Sequence, residues 1–288
     1  MKIYVLPIDG SLQPQNQGFL YPKHNSDYGV EQDFHQFLQA HPHLLTTNVE
    51  EANFHYLPVY WTRWHLQHDY GRAGLGDLQE RVKVAILDDN KTFTICQYDD
   101  GPIINIGKTL QFLASRKTEL GIDIPLLCDE HQKKIVIYRS YLASFAGRIN
   151  THPIRAEMQQ ALNSIGNIYI SDKDLDTEDY VRLLSKSYIA LAPRGYGGSS
   201  FRFYEAMQLG IVPALIGDID TRPFKNFIDW DHISFYVSNP ADLMAKIKKH
   251  SKSELKRMGK KAREVYLNEL TYQKWPKWVL ADLEKRVG

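Results

Sequence analysis

The sequence predicts an α/β protein built as two Rossmann-like halves in series. Short apolar runs bounded by turn residues alternate with stretches of helical periodicity along the chain. That alternation is the pattern of parallel sheets covered by helices. In the second half, an apolar run over 187–192 feeds a glycine-rich turn, a helix pattern and a second apolar run over 211–216. A length of 288 residues allows two medium domains.

Each element has a local reason. Residues 2–6 form an apolar strand that ends at Pro7-Ile-Asp-Gly. A loop rich in Gln, Asn, Pro and Tyr runs over 11–29, and loops of that length are often functional. Residues 30–40 have helical spacing through Phe34, Phe37 and Leu38. Residues 52–59 read as a strand, and 60–66 as an aromatic segment before a glycine-rich turn at 71–76. Leu78, Val82 and Ile86 mark one face of a helix over 77–87. Residues 92–97 form a strand ending at Tyr98-Asp-Asp-Gly, followed by apolar segments at 110–113 and 124–127 and a strand at 134–138.

The second half repeats the theme. Strands are expected at 140–146, 168–170, 187–192, 211–216 and 233–237. Helices are expected at 152–162, 176–184, 240–249, 253–270 and 274–286, with Pro153 suited to a first turn. Two doubly wound halves with terminal helices give the arrangement called GT-B, in which two Rossmann-like domains face a central cleft. The expected domains are 1–135 and 136–270. The helix at 271–288 would pack back on the first domain.

Bulk composition is ordinary for a soluble globular chain, with 43% hydrophobic and 24% charged residues. A net charge of +1 gives no global attraction to nucleic acid. Cys96 and Cys128 both lie in apolar runs and read as buried free thiols, which suits a reducing compartment. The apolar run at the N-terminus is too short for a signal peptide, and no stretch is long enough to span a membrane. The expected location is therefore cytoplasmic.

The chemistry concentrates in the turn between the runs at 187–192 and 211–216. Gly195, Gly197 and Gly198 let the backbone approach a ligand closely. Ser199 or Ser200 can cap the following helix, whose N-terminus suits a phosphate. Arg194 and Arg202 add forked cationic donors. Glu205 lies three residues after Arg202 on a similar helix face, where it either accepts two sugar hydroxyls or pairs with Arg202. In open α/β sheets such a loop, beyond a strand's carboxyl end, is where ligands bind. The unit reads as a nucleotide-diphosphate site.

These residues carry a resemblance. Pro193-Arg-Gly, Ser200-Phe-Arg-Phe-Tyr-Glu-Ala and Gly210-Ile-Val-Pro together resemble the signature of the exostosin family, the family 47 glycosyltransferases. Pro223-Phe and Ile228-Asp-Trp continue it. Tyr141-Leu-Ala-Ser-Phe-Ala-Gly, followed by Arg155, resembles the family's entry into its second half. The resemblance covers residues 138–236, while the first 130 residues match only loosely.

The resemblance implies an inverting transferase that needs no metal or other cofactor and takes a nucleotide-sugar donor, with UDP the favoured nucleotide. It implies that Arg194 and Arg202 neutralise the diphosphate, with Gly195, Gly198, Ser199 and Ser200 around it, and that Glu205 holds the ribose or sugar. The acceptor would be a glycan or a lipid-linked glycan. Homodimer and hetero-partner both stay open, because some members of the family work in pairs. Two alternatives also stay open: a UDP-sugar 2-epimerase of the same fold, and a non-catalytic glycan-binding partner subunit.

Other constellations are less specific. A single displacement needs a base for the acceptor hydroxyl. Asp100, in Asp99-Asp-Gly, and Asp9 both follow strands and are the candidates, although each also suits a plain turn. Asp218-Ile-Asp220 has the spacing of a metal-binding pair but reads better as a polar loop near the nucleotide. His24, Trp61, Trp64 and His65 offer rings for a sugar face, with Arg63 as a polar tip, or Trp61 and Trp64 form an apolar cluster under a loop. Residues 246–263 carry nine Lys or Arg against Glu254 alone, nine minus one giving +8. That segment reads as a solvated helix face, with docking on an anionic membrane as the alternative.

Overall fold

The structure is a computed structural model that describes residues 1–16, 18, 22, 24–25, 29–131 and 138–287. The chain divides into two units, 1–21 with 25–124 and 272–288, and 22–24 with 125–271.

In the first unit, β1 (Ile3–Val5), β2 (Phe54–Tyr56), β3 (Thr92–Cys96), β4 (Leu110–Leu113) and β5 (Ile122–Asp123) form a parallel sheet in that order. The helices between them are α1 (Val30–Gln39), α2 (Trp61–Gln67) and α3 (Leu75–Ala85). Val30, Phe34 and Leu38 recur on one face of α1, and that face is buried. Phe34 meets Tyr56 at 5.2 Å and Phe93 at 6.0 Å between ring centroids, both edge-on.

The second unit holds β6 (Tyr141–Ala146), α4 (Pro153–Leu162), β7 (Ile168–Ser171), α5 (Thr177–Ser185), β8 (Ser187–Pro193), α6 (Phe201–Leu209), β9 (Val212–Ile216), β10 (Phe235–Val237), α7 (Leu243–Ile247) and α8 (Lys252–Val265). Its sheet is parallel and ordered β10-β9-β8-β6-β7. The chain therefore steps from β6 to β7 on one side, then returns past β6 to start β8 on the other. The order reverses at β6 and β8, and the loops leaving those two strands flank the reversal. The last helix, α9 (Pro276–Val287), belongs to the first unit, where the Trp275 ring lies 5.7 Å from Phe34 between centroids, tilted by 32°.

Most expected elements stand within a few residues of their predicted bounds. Three expected elements are corrected, and two segments expected only as aromatic or apolar are given their form. The aromatic segment over 60–66 is helical, α2, with Trp61 and Trp64 on its buried face. At 0% and 3% exposure, those indoles are core and offer no face to a sugar. The apolar residues Ile124, Leu126 and Leu127 are buried without forming a strand, and β5 ends at Asp123. The expected helix at 240–249 begins as a 3-10 turn, Pro240–Asp242, before α7. The strand expected over 233–237 is only Phe235–Val237, preceded by a 3-10 turn at Trp230–His232. The helix expected over 253–270 changes at Tyr266 to a π turn over Tyr266–Leu270. Its start is as local rules require: Ser251 and Glu254 form a reciprocal capping box. The strand expected at 134–138 lies, except for Tyr138, outside the described residues.

Ile247, Leu255 and Met258 face the core as their spacing predicts, and most of the lysines and arginines around them face solvent. Both cysteines are free and buried, as expected, and burial pushes both thiols up from their ordinary range.

Candidate functional site

The candidate site lies where the strand order of the second unit reverses. The loop after β6 contains Gly147, and the loop after β8 contains Arg194 to Ser200. A switch point of this kind opens a crevice at the carboxyl ends of the strands, because the two connecting chains leave in opposite directions.

Arg155, on α4, ties the two loops together. Its Nε donates to the carbonyl of Arg194 at 2.8 Å, its Nη1 to the carbonyl of Arg148 at 2.7 Å, and its Nη2 to the carbonyl of Pro193 at 3.4 Å. Gly195 leaves room for this, since a Cβ there would lie 3.3 Å from Arg155 Nη2. In the sequence Arg155 stands out only as part of a motif. Its bracing role needs α4 to fold against both loops.

Arg194 is 5% exposed. Its Nη1 bonds to Asp218, its Nη2 donates to the carbonyl of Tyr196 at 3.4 Å, and its buried Nε has no partner among the described residues. Arg202 donates through Nε and Nη2 to the carbonyl of Ala146, at 3.2 and 3.0 Å, and lies 5.0 Å above the Phe145 ring. Gly147 makes this possible. It holds φ at +142°, and a Cβ on it would stand 2.1 Å from Arg202 Nη2. The glycine and the arginine of the two motif segments are therefore in mutual steric contact.

Ser200 occupies the N-cap of α6 with extended backbone, but its side chain makes no capping bond. The expected hydroxyl cap is thus corrected. Its backbone carbonyl accepts from Phe203 N at 3.0 Å instead. Ser199 and Ser200 are both buried. Gly198 accepts through its carbonyl from Thr221 Oγ1 at 3.2 Å. Gly210 ends α6 at φ +74°, a conformation that favours glycine.

Glu205 is 3% exposed and does not take the Arg202 guanidinium. Its Oε2 accepts from the Tyr180 hydroxyl at 2.8 Å. Its Oε1 lies 3.1 Å from His131 Nε2 and 3.8 Å from His24 Nε2. Burial pushes the Glu205 carboxyl up, but His131, the Arg202 charge and Tyr180 outweigh it and leave it lowered. No periodicity or spacing in the sequence points to Tyr180, His131 or His24 as neighbours of Glu205.

The other acids are separate. Asp218 goes to Arg194, while Asp220 pairs with Arg222 at 2.9 Å and with Lys225 at 3.4 Å. The two carboxylates of the Asp-Ile-Asp run thus serve different cations. In the first unit, Asp100 pairs with Lys117. Asp9 accepts from Ser11 N at 2.8 Å and lies 3.5 Å from Arg81, beside a cavity of about 510 Å³ lined also by Ile8, Glu80, Val84 and Leu87. No hydrogen bond or ion pair joins Asp9 to Asp100 among the described residues.

Two parallel sheets, each alternating with helices, define an α/β chain of two Rossmann-like units in series. Residues 115–249 match the Exostosin GT47 domain, so the exostosin resemblance holds over the second half of the chain. Exostosin-1 of Drosophila melanogaster is 28% identical over 122 residues, covering 34% of this chain and 16% of that protein. The Exostosin-1 homolog of Caenorhabditis elegans is 21% identical over 316 aligned residues, covering 92% of this chain and 80% of that one. This chain thus spans under a fifth of the fly protein and most of the nematode one. Among solved structures, the crystal structure of TarM aligns with a TM-score of 0.39 and 10% identity over 73% of this chain and 57% of that one. Among the described residues, no helix is long and apolar enough to cross a membrane.

Proposed function

We propose that this protein is an exostosin-like glycosyltransferase that moves a sugar from a nucleotide donor, UDP-linked, to a glycan acceptor with inversion. The observation that carries the reading is the Arg155-braced pair of loops at the switch point, which brings Arg194 and Arg202 to the carboxyl ends of β6 and β8. Arg194 keeps a buried donor, Nε, without a protein partner among the described residues, as an anion-binding arginine would. The Exostosin GT47 match over the same residues supports the reaction class.

In this reading the acceptor oxygen attacks the anomeric carbon in a single displacement. The bond from that carbon to the diphosphate oxygen breaks, and the leaving electrons settle on the diphosphate. Arg194 and Arg202 stabilise that charge, which is the work a divalent ion does in other transferases. The backbone of Gly195, Gly198, Ser199 and Ser200 borders the phosphates, whereas Glu205 is buried with its two oxygens on Tyr180 and His131 and takes no part in this step. The acceptor hydroxyl gives its proton to a carboxylate, for which Asp100 and Asp9 are the candidates.

The test is incubation with a panel of UDP- and GDP-sugars, with and without glycan acceptors, in buffer containing a chelator. Acceptor-dependent UDP release supports the reading. Isomerised donor without net release identifies an epimerase. Absence of any nucleotide binding sinks both, and activity lost to the chelator and restored by manganese overturns the metal-free role given to the arginines.

A further inference from the structure

The environment of Glu205 holds more than a donor site requires. His24, His131 and Glu205 each offer a donor atom, and these three atoms lie within 4.8 Å of one another. The carboxylate Oε1 is 3.1 Å from His131 Nε2 and 3.8 Å from His24 Nε2. Two ligands on one tetrahedral zinc ion stand roughly 3.3–3.5 Å apart, given bonds of about 2.0–2.2 Å. The two observed distances bracket that spacing. The imidazoles overlap at 3.9 Å between centroids with an interplanar angle of 31°.

The surroundings are those of a ligand set held in place. Tyr180 donates to Glu205 Oε2 at 2.8 Å, which fixes the carboxylate and leaves Oε1 toward the two rings. Gln208 Oε1 accepts from the backbone N–H of His131 at 3.1 Å, which anchors that residue to α6. Glu205 and His131 side chains are 4% and 3% exposed, whereas His24 is 15% exposed and gives the entry side. All three residues belong to the second unit.

The geometry points to a transition-metal site formed by His24, His131 and Glu205, with zinc as the best fit. Two imidazoles and one carboxylate suit zinc and its neighbours, whereas magnesium and calcium take oxygen ligands. Each imidazole must present an unprotonated Nε2 to the ion. In its absence, His24 Nε2 lies 3.1 Å from the Asp129 carbonyl and His131 Nε2 lies against Glu205, so metal entry exchanges those contacts for coordination. The site is separate from any diphosphate-bound ion, and its occupancy is measured without reference to sugar transfer.

The experiment uses the full chain, stripped with a chelator and dialysed. Zinc is titrated against a competing chromogenic chelator, and cobalt(II) is added in parallel to read its visible absorption. The expected result is a single site with intense cobalt bands of low coordination number. His24→Ala, His131→Gln and Glu205→Gln each weaken zinc binding by ~10-fold or more, since even outer partners of a metal ligand contribute that much. Circular dichroism checks each fold, and the partly exposed His24 decides the matter where the buried variants unfold. No zinc uptake by the wild type overturns the site. So does uptake that persists unchanged in the variants, which marks adventitious binding to surface histidines such as His41 and His43.

Discussion

Arg155 donates from Nε to the carbonyl oxygen of Arg194 at 2.8 Å, and the same guanidinium reaches Arg148 on the other loop of the switch point. One buried side chain thereby sets the spacing of two loops that are remote in sequence. Arg155→Ala orphans carbonyls at a cost of roughly 1–3 kcal/mol each where water cannot enter. It should also weaken donor binding by up to ~10²-fold, because misplacement by about 1 Å is enough for that. Arg155→Lys should not rescue it, since an ammonium cannot fork to several carbonyls. Urea unfolding and a donor titration check both effects. Wild-type donor affinity in Arg155→Lys contradicts the bracing role.

Arg194→Ala and Arg202→Ala should each lower donor affinity by about 10- to 100-fold, the equivalent of roughly 1.5–3 kcal/mol for a charge-assisted bond. Titration calorimetry with UDP provides the measurement, and melting curves guard against unfolding. If both variants bind UDP as the wild type does, the anion site is elsewhere.

Gly147→Ala meets two penalties at once. Its φ of +142° is strained for any side chain, and the new Cβ falls on Arg202 Nη2. Arg202 should yield by leaving the Ala146 carbonyl, so donor affinity falls along with stability. Combining Gly147→Ala with Arg202→Ala should be less damaging to stability than the sum of the two, and a double-mutant cycle reads that coupling. Strict additivity means that the contact is unimportant.

Glu31 gives a pH prediction independent of the site. It is 1% exposed on α1, and its Oε1 accepts from Thr62 N at 3.1 Å, Thr62 Oγ1 at 2.7 Å and Gln97 N at 3.0 Å. Burial raises its pKa despite these bonds. With the folded value above the unfolded one, its contribution is fully present below the unfolded pKa and is lost as pH rises through the folded pKa. Glu31→Gln should remove that loss. Stability curves of the two proteins against pH should therefore diverge as pH rises, and parallel curves contradict the raised carboxyl.

Much of the second unit was legible because its signals are local. The capping box at Ser251 and Glu254, the left-handed Gly210 and the buried seam of Ile247, Leu255 and Met258 each depend on residues within one or two turns. α2 was not legible, since an aromatic run that fits either a sugar platform or an apolar cluster is decided for the core only by packing with Leu78 and Val82 of α3. Ser200 shows the reverse error: the residue type and position fit a cap, yet the hydroxyl does not bond to the helix.

By itself the sequence determined the alternating α/β plan, the buried free cysteines and the glycine-rich loop with Arg194, Arg202 and Glu205, because periodicity and turn chemistry act over a few residues. Only the tertiary structure decided the strand order that puts the β6 and β8 loops at a reversal, the bracing by Arg155, and the neighbours of Glu205. Tyr180 and His131 lie 25 and 74 positions from Glu205 along the chain. Contacts at such separations leave no periodic trace, since they arise from how helices and loops converge after each has formed.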